Sequence, residues 1–184
     1  MKMKREYTIK PETIMILPDY NEHGFLHAVL FNRQGFAKAE LSPYDLIDYN
    51  LRYHGSSIRG ATDGALAMLG KVYKNPIILD KEHDIILFPC KSPFKEDCVW
   101  FSLRHILDTV EIDKNHTQVK LSNGSTITID VSKKSFDKKM QKTYELQFKM
   151  RARKLGYEDQ DIEIDNPYHL FKNVKGMYFE EGSF

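Results

Sequence analysis

The sequence predicts an α+β fold, a mostly antiparallel sheet with two or three helices. Three observations carry this. Thr117 to Val131 alternates apolar and polar residues on either side of Ser122-Asn123-Gly124, the pattern of a β-hairpin with one buried face. Ile77-Ile78-Leu79 and Ile85 to Phe88 are apolar runs too short for helices, joined by a polar turn at Asp80 to Asp84. Ser42-Pro43 and the serines at 132 and 135 supply helix starts, a capping hydroxyl ahead of the first turn.

The elements follow in order. Tyr7-Thr8-Ile9 and Thr13 to Leu17 predict two short strands, the second ended by Pro18-Asp19, and Phe25 to Phe31 predicts another. His23 and His27 then share a strand face but stand too far apart for an easy chelate. After Ser42-Pro43, Leu46, Ile47 and Leu51 form the apolar face of a helix that stops near His54-Gly55. Ile58 to Leu69 predicts a second helix, with Ala61, Ala65, Met68 and Leu69 on one side, against the cost of Gly60 and Gly64. Cys90 to Asp97 is a loop. Val99 to Leu107 is β-prone with imperfect alternation, and Trp100 is a core residue.

In the hairpin, Asn123-Gly124 favours a type I′ turn with positive φ at both residues. Val119, Leu121, Ile127, Ile129 and Val131 are then buried, and Lys120 and the threonines face outward. In the third helix Phe136, Met140, Tyr144 and Phe148 recur every four residues, which predicts a core stripe with lysines between its members.

The 184 residues, 41% hydrophobic and 29% charged, fit one domain over 1–154 and an acidic tail over 155–184, partly disordered or docking through Tyr168 and Phe171. The net charge of +1 hides an uneven distribution. From Lys133 to Lys154 nine bases against two acids leave +7; from Leu155 to Phe184 seven acids against two bases leave −5. No apolar run is long enough for a bilayer, and the basic N-terminus lacks the apolar segment of a secretory signal, so no membrane and a cytoplasmic location are expected. Cys90 and Cys98 do not make a disulfide framework; free thiols at a buried or half-buried site are expected, with a redox switch as the alternative.

Catalytic and cofactor signals are weak. There is no GxxxxGK[ST] loop, GxGxxG or paired CxxC. Asp80, His83 and Asp84 suggest a divalent-ion site, and hence a metal-dependent nuclease, but a solvated turn explains them more cheaply. His54 and Ser56 lack a third, orienting group. The expectation is no enzyme, no metal and no cofactor.

Nucleic-acid binding has the better physical case. Lys133, Lys134, Lys138 and Lys139 place cations where the hairpin hands over to a helix, and phosphates are neutralised by such side chains. Arg52, Arg59 and Arg104 are the arginines suited to a narrow minor groove, and Ser56 and Ser57 add hydroxyl and backbone donors in a glycine turn. An acid partner for each arginine is the competing reading.

The order RYHGSS, NPIILD, IILFP, VWFSLRHI and QVKLSNGSTITIDVSKKSF, from about Tyr49 to about Arg151, resembles the competence transcription factor (ComK) family of Gram-positive bacteria. The anchors are Gly55-Ser56-Ser57, Pro76-Ile77-Ile78, Leu87-Phe88-Pro89, Trp100, Ser122-Asn123-Gly124 and Ser132 to Phe136. The first fifty residues and the acidic tail fall outside the match. The resemblance implies a transcription activator of competence genes that binds double-stranded, AT-rich DNA through minor-groove contacts as a higher-order homo-oligomer. It also implies RNA polymerase and an adaptor for regulated proteolysis as protein partners. The alternative is an interaction protein that keeps the fold without activating transcription.

Overall fold

The structure is a computed structural model. It describes residues 7–70 and 75–156 in full, and the backbone of 170–172 and 178–180. The chain divides into two units, Met1–Met150 and Arg151–Phe184.

The first unit is built on a six-stranded antiparallel sheet. Its strands are β1 (Thr13–Tyr20), β2 (Leu26–Asn32), β3 (Gly35–Ala39), β4 (Ile77–Asp80), β5 (Ile85–Pro89) and β6 (Trp100–Ser102), in the spatial order β3-β2-β1-β6-β5-β4. A second antiparallel sheet has the order β7 (Ile106–Glu111), β8 (Thr117–Leu121), β9 (Thr126–Ile129). The helices are α1 (Pro43–Tyr53), α2 (Ile58–Leu69) and α3 (Lys133–Lys154). The predicted α+β class is therefore correct. The second unit holds the end of α3 and an antiparallel pair, β10 (Leu170–Lys172) and β11 (Tyr178–Glu180). The expected disorder or docking of the tail concerns residues that lie largely outside those described.

The continuous apolar run of β5 has a direct cause. All five of its residues are buried, as happens when a strand is covered on both faces. Ile86 and Phe88 share a face by the two-residue period. Ile86 packs with Leu146 and Met150 of α3, and the Phe88 ring lies 5.5 Å from that of Phe136. Phe136 also meets Phe101 of β6 edge-on at 5.2 Å. Trp100 is buried as expected, 1% exposed.

Several expectations change. Tyr7 to Ile9 is not a strand. The buried Asn50 side chain holds this segment instead: its Nδ2 donates to the Tyr7 carbonyl (2.8 Å) and its Oδ1 accepts from the Ile9 amide (2.9 Å). β1 continues through Pro18, because only Met15 and Ile16 pair with β6. Pro18 therefore has a neighbour strand on one side only, where a missing N–H is tolerated. The poor alternation of Val99 to Leu107 is a 3-10 turn at Leu103–His105 between β6 and β7. β3 has no counterpart among the predicted strands.

The hairpin turn is not type I′. Gly124 has φ 85, but Asn123 does not have positive φ. The Gly124 amide donates to the Leu121 carbonyl (2.9 Å) and the Leu121 amide to the Ser125 carbonyl (2.8 Å). This is the three-residue loop in which a left-handed glycine follows a type I turn. Thr117 does not face outward; it is buried and donates to the Val131 carbonyl (2.7 Å).

The α3 stripe is also corrected. Phe136 is fully buried and Met140 partly, but Tyr144 is 48% and Phe148 73% exposed. A four-residue repeat advances about 40° per step round a helix of 3.6 residues per turn, so the stripe leaves the core within two steps. The buried positions are Phe136, Thr143, Leu146 and Met150, spaced by seven, three and four residues, each close to a whole number of helical turns.

Gly124→Val places a β-branched residue at φ 85 and is expected to cost about 1–3 kcal/mol, read as a lower denaturant midpoint at unchanged slope. A second prediction concerns His105. It is buried and joins three segments: Nε2 donates to the Pro11 carbonyl (2.7 Å), and Nδ1 accepts from the Ser122 hydroxyl (2.7 Å). Burial depresses its pKa, the Pro11 carbonyl opposes the shift, and the charges of Arg104 and Arg33 add to it. A depressed histidine binds its proton more weakly in the folded state. Its contribution is complete above the unfolded value of about 6.5 and is lost as pH falls below it. Stability curves between pH 7 and 5 are expected to fall more steeply for the natural chain than for His105→Gln.

Candidate nucleic-acid interface

The turn between α1 and α2 carries four of the predicted site residues, and its geometry assigns them different tasks. Ser42 caps α1, accepting from the Asp45 amide (3.2 Å), with Pro43 following it. The helix ends in a Schellman arrangement. The Ser56 amide donates to the Leu51 carbonyl (2.8 Å) and the Gly55 amide to that of Arg52 (3.1 Å), with Gly55 at φ 77. Ser57 caps α2, its Oγ accepting from the Gly60 amide (3.1 Å). Asp48 joins the two helices. Its Oδ1 accepts from the Ile58 amide (2.8 Å), and its Oδ2 from Arg52 Nε (2.6 Å). Burial raises the Asp48 pKa, but the Ile58 amide and the Arg52 guanidinium outweigh it, and the carboxyl lies below its ordinary range.

Four consequences follow for this cluster. Two amides at the start of α2, those of Ile58 and Gly60, are already satisfied within the protein and are not spare phosphate donors. Arg52 has an acid partner, although its side chain stays 65% exposed. Arg59, one residue into α2, is exposed and has no hydrogen-bond or ion-pair partner among the described residues. Ser56 is exposed, with only a 3.5 Å contact to the Ser57 carbonyl.

Arg104 adjoins the same region. Its Nη1 donates to the His83 carbonyl (3.0 Å), and His83 lines a cleft of about 620 Å³ with His54, Ser56, Gly60, Gly64 and Asp80. The structure thus ties Arg104 to a residue that lines the same cleft as Ser56. Asp80 is occupied locally. It accepts from the Glu82 and His83 amides (2.8 and 3.2 Å) and lies 2.7 Å from His83 Nδ1. Asp84 accepts from Gln147 Nε2 (3.0 Å). Among the described residues no group of three or more His, Cys, Asp or Glu is placed to hold a metal ion.

The lysines sit at the start of α3, where Ser132 Oγ accepts from the Ser135 amide at 3.4 Å. Lys133 pairs with Asp137, which also accepts from Thr109 Oγ1 of β7 (2.9 Å). Lys139 is half-buried, close enough to Cys90 and Cys98 for its charge to act on both thiols. Lys134 and Lys138 are exposed and have no partner among the described residues. Further along, Lys142 and Lys149 share Glu145 (2.7 and 3.3 Å), and Lys149 donates to the Met68 carbonyl (2.8 Å). The helix start and its α2-facing portion are separate. At ~1.5 Å per residue, Lys134 lies about 22 Å along the axis from Lys149.

Neither α2 nor α3 has an acid in its first turn, whereas α1 has Asp45. Basic residues near a helix N-terminus oppose the helix dipole, and an anion there is favourable on both counts. Sequence reasoning missed Asp48, although its four-residue spacing from Arg52 on a helix was a visible signal.

Among the described residues no helix is long and apolar enough to cross a membrane. No solved structure matches the chain. It is 27% identical over 147 residues to the competence transcription factor of Bacillus subtilis (strain 168), covering 80% of this chain and 76% of that protein. The model of the ComK protein family matches residues 4–155, which brings in the N-terminal strands that the motif resemblance left out. With most of its length matched, from before β1 to the end of α3, the chain belongs to the ComK family.

Proposed function

We propose that the chain is a DNA-binding regulator that activates transcription of competence genes. It binds AT-rich duplex through phosphate contacts and the minor groove, as a homo-oligomer. One observation carries the DNA reading beyond family membership. Two helix starts present exposed cations, Arg59 on α2 and Lys134 and Lys138 on α3, with no acid in the first turn and no partner among the described residues. These cations bear the electrostatic cost of their position in the free protein, and a phosphate relieves it. Lys134 and Lys138 are the phosphate contacts; Lys133, already paired with Asp137, contributes less. Arg59 is the minor-groove residue, and Arg52 and Arg104 are further candidates for contact. RNA polymerase and a proteolytic adaptor belong to the same proposal as its protein partners.

A gel shift on an AT-rich duplex, with and without Mg²⁺, separates the readings. An intact shifted band supports the regulator, no shift supports an interaction protein of the same fold, and cleavage supports a nuclease. Each neutralised phosphate adds about −0.9 to the slope of log affinity against log salt. Changing Lys134 and Lys138 together to Ala is therefore expected to flatten that slope by roughly two units, equally on AT-rich and GC-rich duplexes. Arg59→Ala is expected to lower the preference for AT-rich over GC-rich sites, because groove width and potential differ between them. An unchanged preference removes Arg59 from readout.

A further inference from the structure

The loop between β5 and β6 carries Phe94, the most exposed large apolar side chain among the described residues, at 81%. Ser92-Pro93-Phe94-Lys95 is turn-forming sequence, with proline at the second position. The Lys95 amide donates to the Ser92 carbonyl (3.0 Å) and the Cys98 amide to the Lys95 carbonyl (3.0 Å), so two turns follow one another. Lys91 ties the base of the loop, donating to Asp97 (2.5 Å) and to Asp130 just past β9 (2.7 Å). The Phe94 ring leans on Tyr44 in the first turn of α1, with centroids 5.4 Å apart and planes at 33°. Both rings line a cleft of about 610 Å³ together with Arg59 and Asp63 of α2 and the buried Trp100.

Single exposed apolar residues are ordinary on protein surfaces. Two features set this one apart. Its mount is ordered, by the turns, the lysine tie and the ring of Tyr44. The charges around it are also sorted. Glu96 accepts from Tyr20 Oη (2.6 Å) and Asp97 from Lys91, so both carboxylates of the loop are engaged. Lys95, next to the ring, is exposed and has no hydrogen-bond or ion-pair partner among the described residues. Arg59, on the same cleft, is in the same condition. A ring between two unpaired cations suits an anionic polymer that also offers flat apolar faces. A phosphate group alone leaves the ring without a partner, and a wholly apolar surface leaves the cations without one.

We propose that Phe94 is an apolar wedge, which enters the minor groove beside Arg59 and unstacks one base step of an AT-rich duplex while Lys95 meets the adjoining phosphate. The wedge rests on the DNA-binding reading above and adds two contact residues to it. Minor-groove proteins combine cationic side chains with inserted apolar ones in this way. Asp63 on the cleft wall disfavours a phosphate inside the cleft, so the backbone is met outside it, at Lys95. Pyrimidine–purine steps such as TA unstack most easily, so the wedge favours AT-rich sites independently of Arg59. Tyr44 backs the ring against the force of insertion, and the tied loop limits the entropy lost on binding.

The test uses the full chain at saturation on AT-rich duplexes in which 2-aminopurine replaces one adenine at successive TA steps, with a gel shift on the same samples. The fluorescence of 2-aminopurine rises when its stack opens. The natural chain is expected to brighten the probe at one step. Phe94→Ala is expected to abolish the brightening and weaken binding roughly 5- to 150-fold, the range of one lost base–aromatic stack. Phe94→Leu, which keeps an apolar wedge, restores part of the signal. Lys95→Ala keeps the brightening and flattens the salt slope by about one unit. A shifted band with no brightening at any step, or brightening unchanged in Phe94→Ala, overturns the wedge and leaves DNA binding intact. Loss of self-association in Phe94→Ala by sedimentation, with brightening retained, also overturns it and assigns the ring to a protein contact. The absence of any shifted band with the natural chain overturns the DNA-binding reading and the wedge together.

Discussion

Three rings decide where the basic surface lies. Phe136 of α3 is fully buried and sits against Phe88 and Phe101 of the central sheet, 5.5 and 5.2 Å away. Burying such a side chain is worth roughly 1.5–3 kcal/mol, comparable with the whole cost of ordering a residue or two. Because Phe136 lies in the second turn, that contact also fixes the rotation of the helix start. Lys134 and Lys138, one turn apart, then share an outward face, while Lys133 turns towards Asp137 and Lys139 towards the cysteines. The cations free to meet phosphate are thus selected by packing. The charge run alone does not distinguish them.

The turn between α1 and α2 depends on a different constraint. Asp48 occupies the amide of Ile58 and the guanidinium of Arg52 together, and the Schellman bonds around Gly55 fix the chain between the helices. The glycine and the second serine of RYHGSS therefore serve the turn itself. What remains for a ligand is Arg59, held on a capped helix and unencumbered among the described residues. A rigid mount of this kind lowers the entropy lost on binding, because the backbone carrying the side chain is already ordered.

Much of the fold was legible in the sequence where signals were local. Ser42-Pro43 marked α1 because a cap and a proline act within one turn. The IILFP run marked a strand because burial on both faces removes polar residues. The misreadings arose where distant partners decide. Tyr7 to Ile9 has strand composition, but the amide of Asn50, more than forty residues away, takes its hydrogen bonds. The four-residue stripe of α3 matched the helix without marking the buried face, since only the sheet determines which side is covered. Asn123 was assigned positive φ from its pairing with Gly124, whereas the loop needs it only at the glycine. For the site, residue types were readable and pairing was not. Asp48 stands four residues before Arg52 and Asp63 four after Arg59, so spacing marked both arginines alike, and only the structure shows that Arg52 is the one paired.

The family assignment and the free cations converge on one claim: α2 and α3 present their basic starts to DNA. Lysine acetylation footprinting of the full chain, with and without an AT-rich duplex and read by mass spectrometry, tests it directly. DNA is predicted to slow acetylation at Lys134 and Lys138 more than at Lys133, whose ammonium is already paired with Asp137. Equal acetylation of Lys134 and Lys138 in the bound and free protein, under conditions where binding is confirmed, would contradict the account.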